Sequence, residues 1–172
     1  RQMMARQVEK LVRLIDDLLD VSRISRGKIA LQKEFVDLST IVDAAVEASS
    51  AFIAESGQDL VLELPSDPII LHADPTRIAQ VITNLLNNAA KYSDAGCRIE
   101  LAVMAEDGQA VIQVRDDGFG IDAERLEDIF QMFTQVDDSL QRGSAGLGIG
   151  LTLVRTLVEL HGGEVSAESP GK

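Results

Sequence analysis

The chain is poor in the residues that would staple it, anchor it in a bilayer or attach it to a polyanion. Its one cysteine, Cys97, excludes an intrachain disulfide and fits a reducing compartment. Cys97 itself reads as small apolar filler at the start of a strand. No apolar run approaches the roughly 18 to 20 residues that span a bilayer, and no signal peptide is visible, so the segment is expected to be cytosolic. A membrane anchor elsewhere in a longer parent stays open. Sixteen Lys and Arg face 28 Asp and Glu, a formal net charge of −12. That balance excludes a surface tracking a nucleic-acid backbone, which needs clustered basic groups. An anionic ligand must then be held locally, by helix N-termini, backbone amides or a metal. Internal repeats and low-complexity tracts are absent.

Asparagine is scarce too, and its placement is informative. The only three, Asn84, Asn87 and Asn88, fall in "NLLNNAAKY" within what otherwise reads as an apolar helix. On a helix Asn84, Asn88 and Lys91 share one face, while Ile78, Ile82, Leu85 and Ala89 line another. A merely solvated face would more readily use Glu, Lys or Gln, which are better helix formers. A carboxamide oxygen is a hard, neutral ligand suited to Mg²⁺, and a site with few carboxylates binds that ion when phosphate oxygens complete its octahedron. Lys91 then offers a point charge to phosphate, and Tyr92 an aromatic face to a base or sugar.

With 172 residues the chain has room for one good core plus an extra element. Residues 1–28 form the first unit, where Met4, Val8, Leu11, Ile15 and Leu18 make a helical seam widened by Val12, Leu14, Leu19 and Val21. Such a helix needs partner helices, and Gly27 is placed to stop it. Because the chain opens at Arg1 inside this pattern, it is expected to be a piece of something longer. Residues 29–172 form the second unit. "KIALQKEFVDL" reads as a strand, and Asp37 caps a helix over 38–55 that ends near Gly57. "DLVLEL" and "PIILHA" read as two strands joined by the turn "PSDP". Asp74 caps the asparagine helix, whose first residue is Pro75. Residues 98–104 and 110–115 flank "AEDGQ", a hairpin signal. A short helical piece near 123–133, a Ser, Gly and Gln rich stretch over 134–146, a helix over 147–161 and a last strand beginning at "EVSAES" complete the pattern. Strands interleaved with helices predict an α+β fold, a two-layer sandwich with a mixed sheet covered by helices on one face.

Two glycine loops extend the chemistry. "DDGFGI" places Gly118 and Gly120 directly after a strand, where backbone can approach a ligand closely. Asp116, at the strand's end, can accept a hydrogen bond from an exocyclic amine such as that of adenine. "GSAGLGIGL" places Gly143, Gly146, Gly148 and Gly150 at the start of an amphipathic helix, where unpaired N–H groups face an anion. Its spacing is neither that of a P-loop nor that of a Rossmann turn, so phosphate binding of another design is expected.

Together these residues resemble the catalytic and ATP-binding domain of sensor histidine kinases, within the superfamily shared with DNA gyrase, the heat-shock chaperone ATPase and the mismatch-repair ATPase. "NLLNNAAKY" is similar to the N box, "DDGFGI" to the G1 box, "IFQMF" with Phe130 and Phe133 to the F box, and "GLGIGL" to the G2 box. "ELHGGEV" is also similar to the family's pattern. Upstream, "LIDDLLDVSRISRGKIAL" resembles the end of the second helix of the dimerisation and phosphoacceptor domain. The resemblance implies Asn88 as the Mg²⁺ ligand, Asn84 beside the phosphates, Lys91 contacting them, and Tyr92 in the nucleotide pocket. It further implies Asp116 on the adenine amine, Gly118, Gly120, Ile121 and Phe133 shaping the pocket, and Gly146, Leu147, Gly148, Gly150 and Leu151 by the phosphates. Residues 134–146 become an ATP lid, from which Arg142 approaches the γ-phosphate.

The implied activity is transfer of the γ-phosphoryl of Mg-ATP to a histidine for relay to the receiver domain of a response regulator. A homodimer through the N-terminal helix and a bacterial cytosolic setting are implied with it. Two departures stand out. No H box is present, so self-phosphorylation is not expected; His72 and His161, the only histidines, are read as structural. The family's final strand is also not found, which leaves a sheet edge unpaired, or paired by something not in this chain. Two rivals remain: a non-catalytic nucleotide-sensing dimerisation module, and a hydrolase of the gyrase or mismatch-repair type. The latter needs a glutamate where "RIAQVITN" offers Gln80.

Overall fold

A computed structural model describes residue 15, residues 30–132, residue 134 and residues 148–171. Ile15 is helical and half exposed; the rest of the expected N-terminal helix lies outside the described residues. From residue 30 the order is β1 (Glu34–Asp37), α1 (Leu38–Glu55), β2 (Asp59–Glu63), β3 (Ile70–Ala73), α2 (Pro75–Lys91), β4 (Arg98–Glu106) and β5 (Gln109–Asp116). Two 3-10 turns (Ala123–Arg125 and Asp128–Phe130) and α3 (Gly150–Leu160) follow.

The caps fix the helix starts. Asp37 Oδ1 accepts from Ser39 N at 3.0 Å and opens α1; Asp74 Oδ1 accepts from Arg77 N at 3.2 Å and opens α2, with Pro75 in the first turn. Past the end of α1, Gly57 takes φ +70°, and Gln58 N reaches back to Ile53 O at 3.3 Å. Asp107 and Gly108, at φ 49° and 77°, join β4 to β5 as a two-residue hairpin loop.

β4 is the central strand of a three-stranded mixed sheet, parallel to β2 and antiparallel to β5, while β1 and β3 pair antiparallel in a separate sheet. β2 and β3 are therefore not a hairpin. The chain between them carries Pro65 and Pro68 and passes from one sheet to the other. The first strand is also shorter than its sequence pattern, spanning only Glu34–Asp37. Residues 163–171 form no strand, where one was expected. Instead of one helical piece near 123–133 there are two 3-10 turns.

Period governs what is buried. Leu38, Ile41, Val42, Ala45 and Ile53 of α1 and Ile78, Ile82, Leu86, Ala89 and Ala90 of α2 pack with Ile99, Leu101 and Val103, alternate residues of β4. A smaller cluster joins α2 to α3 through Val81, Leu153, Val154 and Leu157, with Leu85, Val158 and Val165 around it. α2 thus lies between two apolar contacts, and only its remaining strip is free for chemistry. Among the described residues no helix is long and apolar enough to cross a membrane.

Candidate functional site

The free strip of α2 carries Asn84, Asn88 and Lys91. Opposite Asn84 and Asn88 stands the first residue of α3: a Cβ built on Gly150 would lie 4.0 Å from Asn84 Oδ1 and from Asn88 Nδ2. A longer side chain there would fill the gap between the two helices. Gly148, at φ +67°, turns the chain into α3, whose start has no side-chain cap. First-turn N–H groups of an uncapped helix have no intrahelical partner and favour negative charge. Asn84 Nδ2, Asn87 Oδ1 and Thr152 Oγ1 are buried and have no hydrogen-bond partner among the described residues. A buried polar atom left unpaired is costly, so Asn84, beside Gly150, is suited to a polar guest.

Just past its C-terminal end, a turn beyond Asn88, α2 is joined to the first glycine loop. Asp116 Oδ1 accepts from Gly118 N at 2.9 Å and lies 3.4 Å from the Ser93 hydroxyl, which donates to Ala89 O at 2.8 Å. Phe119 N donates to Tyr92 O at 3.1 Å. With one carboxylate oxygen so held, the other is aimed by a fixed loop. Gly118 is required for this fit, because a Cβ there would come within 2.4 Å of Tyr92 O and 2.5 Å of Asp116 Oδ1. Gln58, buried beneath, donates through Nε2 to Ala90 O at 2.8 Å and Ser93 O at 2.9 Å, satisfying carbonyls where the helix ends. Lys91 Nζ lies 3.1 Å from Tyr92 Oη and 4.8 Å from the ring centroid, so the two side chains touch at the surface.

Beside the α2–α3 contact and this loop lies one cleft of about 1990 Å³, whose walls include Asn88, Lys91, Tyr92, Asp116, Gly118, Gly120, Ile121 and Leu151. It exceeds the roughly 300–1,000 Å³ of ordinary ligand pockets because it runs on between β5 and residues 163–171. Ile121 N donates to Ser169 Oγ at 2.9 Å, which ties the glycine loop to that segment. Asn84 and Gly150 lie off the cleft wall, at the helix contact. Phe130 is buried beneath the Arg155 guanidinium, 4.5 Å from its ring centroid. Phe133, Arg142, Gly146 and Leu147 lie outside the described residues.

No group of three or more His, Cys, Asp or Glu side chains among the described residues could hold a metal by itself. A neutral carboxamide facing an uncapped helix start fits Mg²⁺ that arrives with phosphate oxygens, since those supply the anionic ligands the protein does not. Sequence reasoning missed Ser93, Gln58 and Thr152. Ser93 had a usable signal, lying four residues beyond Ala89 where a hydroxyl reaches back to a helix carbonyl. Gln58 had none, because its partners are distant in sequence.

Comparison with known proteins gives the family and the fold. The family profile of the histidine kinase-, DNA gyrase B- and HSP90-like ATPases matches residues 73–172. The circadian input-output histidine kinase CikA of Synechococcus elongatus is 39% identical over 163 residues, covering 94% of this chain and 22% of its own length. Among solved structures, the Acinetobacter baumannii histidine kinase AdeS superposes with a TM-score of 0.78 at 26% identity, over 99% of this chain and 77% of that one. Full-length ShkA in complex with AMPPNP gives 0.77 at 27% identity, over 97% of this chain and 36% of that one. The chain spans only 18% to 27% of the first curated relatives it matches.

Proposed function

Because the chain belongs to the histidine kinase-, DNA gyrase B- and HSP90-like ATPase family, we propose that it is the ATP-binding catalytic segment of a sensor histidine kinase. In the intact enzyme the γ-phosphoryl of Mg-ATP passes to a histidine imidazole and then to an aspartate of a response regulator's receiver domain. The observation that carries the reading is the facing pair of Asn84 and Asn88 with Gly150 at the uncapped start of α3. Asp116, braced by Gly118 N, stands just past the C-terminal end of α2, beside Ser93. The α2–α3 contact suits phosphate, and this loop the amine of a base.

The roles follow from the atoms present. Asp116 accepts from an exocyclic amine, Gly118 keeps the wall flat, and Tyr92 lies against base or sugar. Asn84 donates to phosphoryl oxygens, the first-turn amides of α3 do the same, and Lys91 adds a point charge. Asn88 presents its carboxamide oxygen to Mg²⁺, which would neutralise charge on the phosphoryl oxygens. Catalysis on this reading is positioning plus charge stabilisation, with no covalent work by this segment. Arg142 and Phe133 belong to the same proposal, as lid and pocket residues. Gln80 accepts from Arg77 Nη1 at 2.9 Å and, being neutral, offers no base to activate water.

Titration calorimetry of the chain with ATP, with and without Mg²⁺, tests the binding half: heat should develop with both present and weaken sharply when Mg²⁺ is removed. For transfer, labelled ATP is supplied together with a separate helical domain bearing an acceptor histidine. Phosphohistidine on that domain is expected; nucleotide binding without any phosphohistidine would favour the sensing module instead.

A further inference from the structure

α2 and α3 run antiparallel, so the N-terminal end of one meets the C-terminal end of the other. Asp74 caps the start of α2, and His161 follows the end of α3. The two residues are bonded: Asp74 N donates to His161 Nε2 at 3.0 Å. The other ring nitrogen, Nδ1, lies 2.7 Å from Leu157 O, which can only accept. Nδ1 therefore carries the proton and Nε2 the lone pair, as the bond from Asp74 requires. Asp74 is 7% exposed and its carboxylate is already committed, Oδ1 to Arg77 N and Oδ2 to Gln32 N at 3.0 Å. Its backbone N–H has His161 for acceptor, and without the ring it would be an orphaned buried donor.

About 15 Å and about 21 Å along α2 from this bond stand Asn84 and Asn88, and about 16 Å back along α3 stands Gly150, at 1.5 Å per residue. The bond closes one end of the helix pair and the phosphate-facing gap is the other. Between them lies the small cluster of Val81, Leu153, Val154 and Leu157, with Leu85, Val158 and Val165 around it.

We propose that His161 is a positioning residue for the nucleotide site: by holding Asp74 N at its Nε2 while donating to Leu157 O, it sets the gap across which Asn84 and Asn88 face Gly150. The proposal rests on the nucleotide reading above for its ligand but not for its geometry. His161 touches no substrate and acts through α2 and α3. Chemically, what the position needs is an acceptor at the distance of Nε2. Glutamine reaches that far, while asparagine does not.

The test uses His161→Gln and His161→Asn in the same 172-residue chain. The parent has three asparagines and H161N a fourth, so their assigned side-chain amide signals in a ¹⁵N spectrum, told apart from those of the ten glutamines, read the gap in nucleotide-free protein. H161N should move the Asn84 and Asn88 signals, and H161Q should leave them near the parent's. Affinity for Mg-ATP should fall about tenfold in H161N and by no more than about twofold in H161Q. Affinity for adenosine, which engages the Asp116 loop, should stay within about twofold in both. Unmoved Asn84 and Asn88 signals in H161N, equal losses in both variants, or parallel loss of adenosine and ATP would overturn the proposal. So would failure of both variants to fold, which would assign His161 to the fold alone. If the amides move as expected but not even the parent binds ATP, the nucleotide reading falls and the positioning role stands.

Discussion

α2 is packed on two sides, and the two contacts differ in kind. Toward α1 and the sheet it buries Ile78, Ile82, Leu86, Ala89 and Ala90 against a continuous apolar cluster. Toward α3 it shares the much smaller cluster of Val81, Leu153, Val154 and Leu157, beyond which the contact turns polar at Asn84 and Thr152. The first contact makes the fold; the second is the smaller of the two. Elements tied by few apolar contacts open at lower free energy than those in a main core, and ligand sites are drawn from that end of the scale.

The largest expected effect tests the first contact. Leu101, fully buried at the centre of β4, should cost about 2–5 kcal/mol when changed to Ala, through lost transfer energy plus a cavity. Urea unfolding reads it as a lower midpoint at unchanged slope. If Leu101→Ala lost nucleotide affinity while its midpoint stayed put, the division between a fold-making and a site-making face would be wrong.

Asn88→Ala should do the reverse. Half-buried and facing Gly150, Asn88 contributes nothing to the main cluster, so the urea midpoint should hardly move. Affinity for Mg-ATP should drop by about tenfold or more, equivalent to about 1.4 kcal/mol or above. Calorimetry with Mg²⁺ present decides, and equal affinity in variant and parent would remove Asn88 from the metal's ligands.

A sharper version uses Asn84→Leu. The amide Nδ2 is buried without a partner among the described residues, so an apolar side chain of similar volume removes an unpaired donor. Stability should rise by up to about 1 kcal/mol while nucleotide affinity falls about tenfold. Opposite signs in the two measurements are what a site set into a weak contact should give. A variant that loses stability would show Asn84 to be a packing residue after all.

How much of this was legible beforehand depends on whether the determinant was local. Both long helices could be placed because Asp37, Asp74 and Pro75 mark their starts chemically, and Gly57 the end of the first. The β4–β5 hairpin was carried by Asp107 and Gly108 for the same reason. Strand pairing was not local. β2 and β3 are close in sequence yet belong to different sheets, β2 beside β4 and β3 beside β1, and nothing in "PSDP" distinguishes a hairpin turn from a crossing. In the site, the spacing of Asn84, Asn88 and Lys91 on one face was readable from helical period alone. That His161 would accept from Asp74 was not, since the pair is separated by 87 residues and depends on how two helices pack.

The smallest effect is the most discriminating about buried polar atoms. Ser49 is fully buried on the α1 face that packs into the main cluster, and its Oγ, like Asn84 Nδ2, has no hydrogen-bond partner among the described residues. If an unpaired buried polar atom by itself marked a ligand site, both positions should matter for binding. The two-contact picture says otherwise, because Ser49 lies in the fold-making cluster, away from the gap between α2 and α3. Replacing it with Ala removes the unpaired hydroxyl, exchanges little volume and raises helix propensity. Stability should therefore stay level or rise by at most about 1 kcal/mol, with ATP affinity unchanged within about twofold. A clear loss of stability in urea would mean that the hydroxyl has a buried partner, and a loss of affinity would mean that α1 reaches the site through a route other than α2.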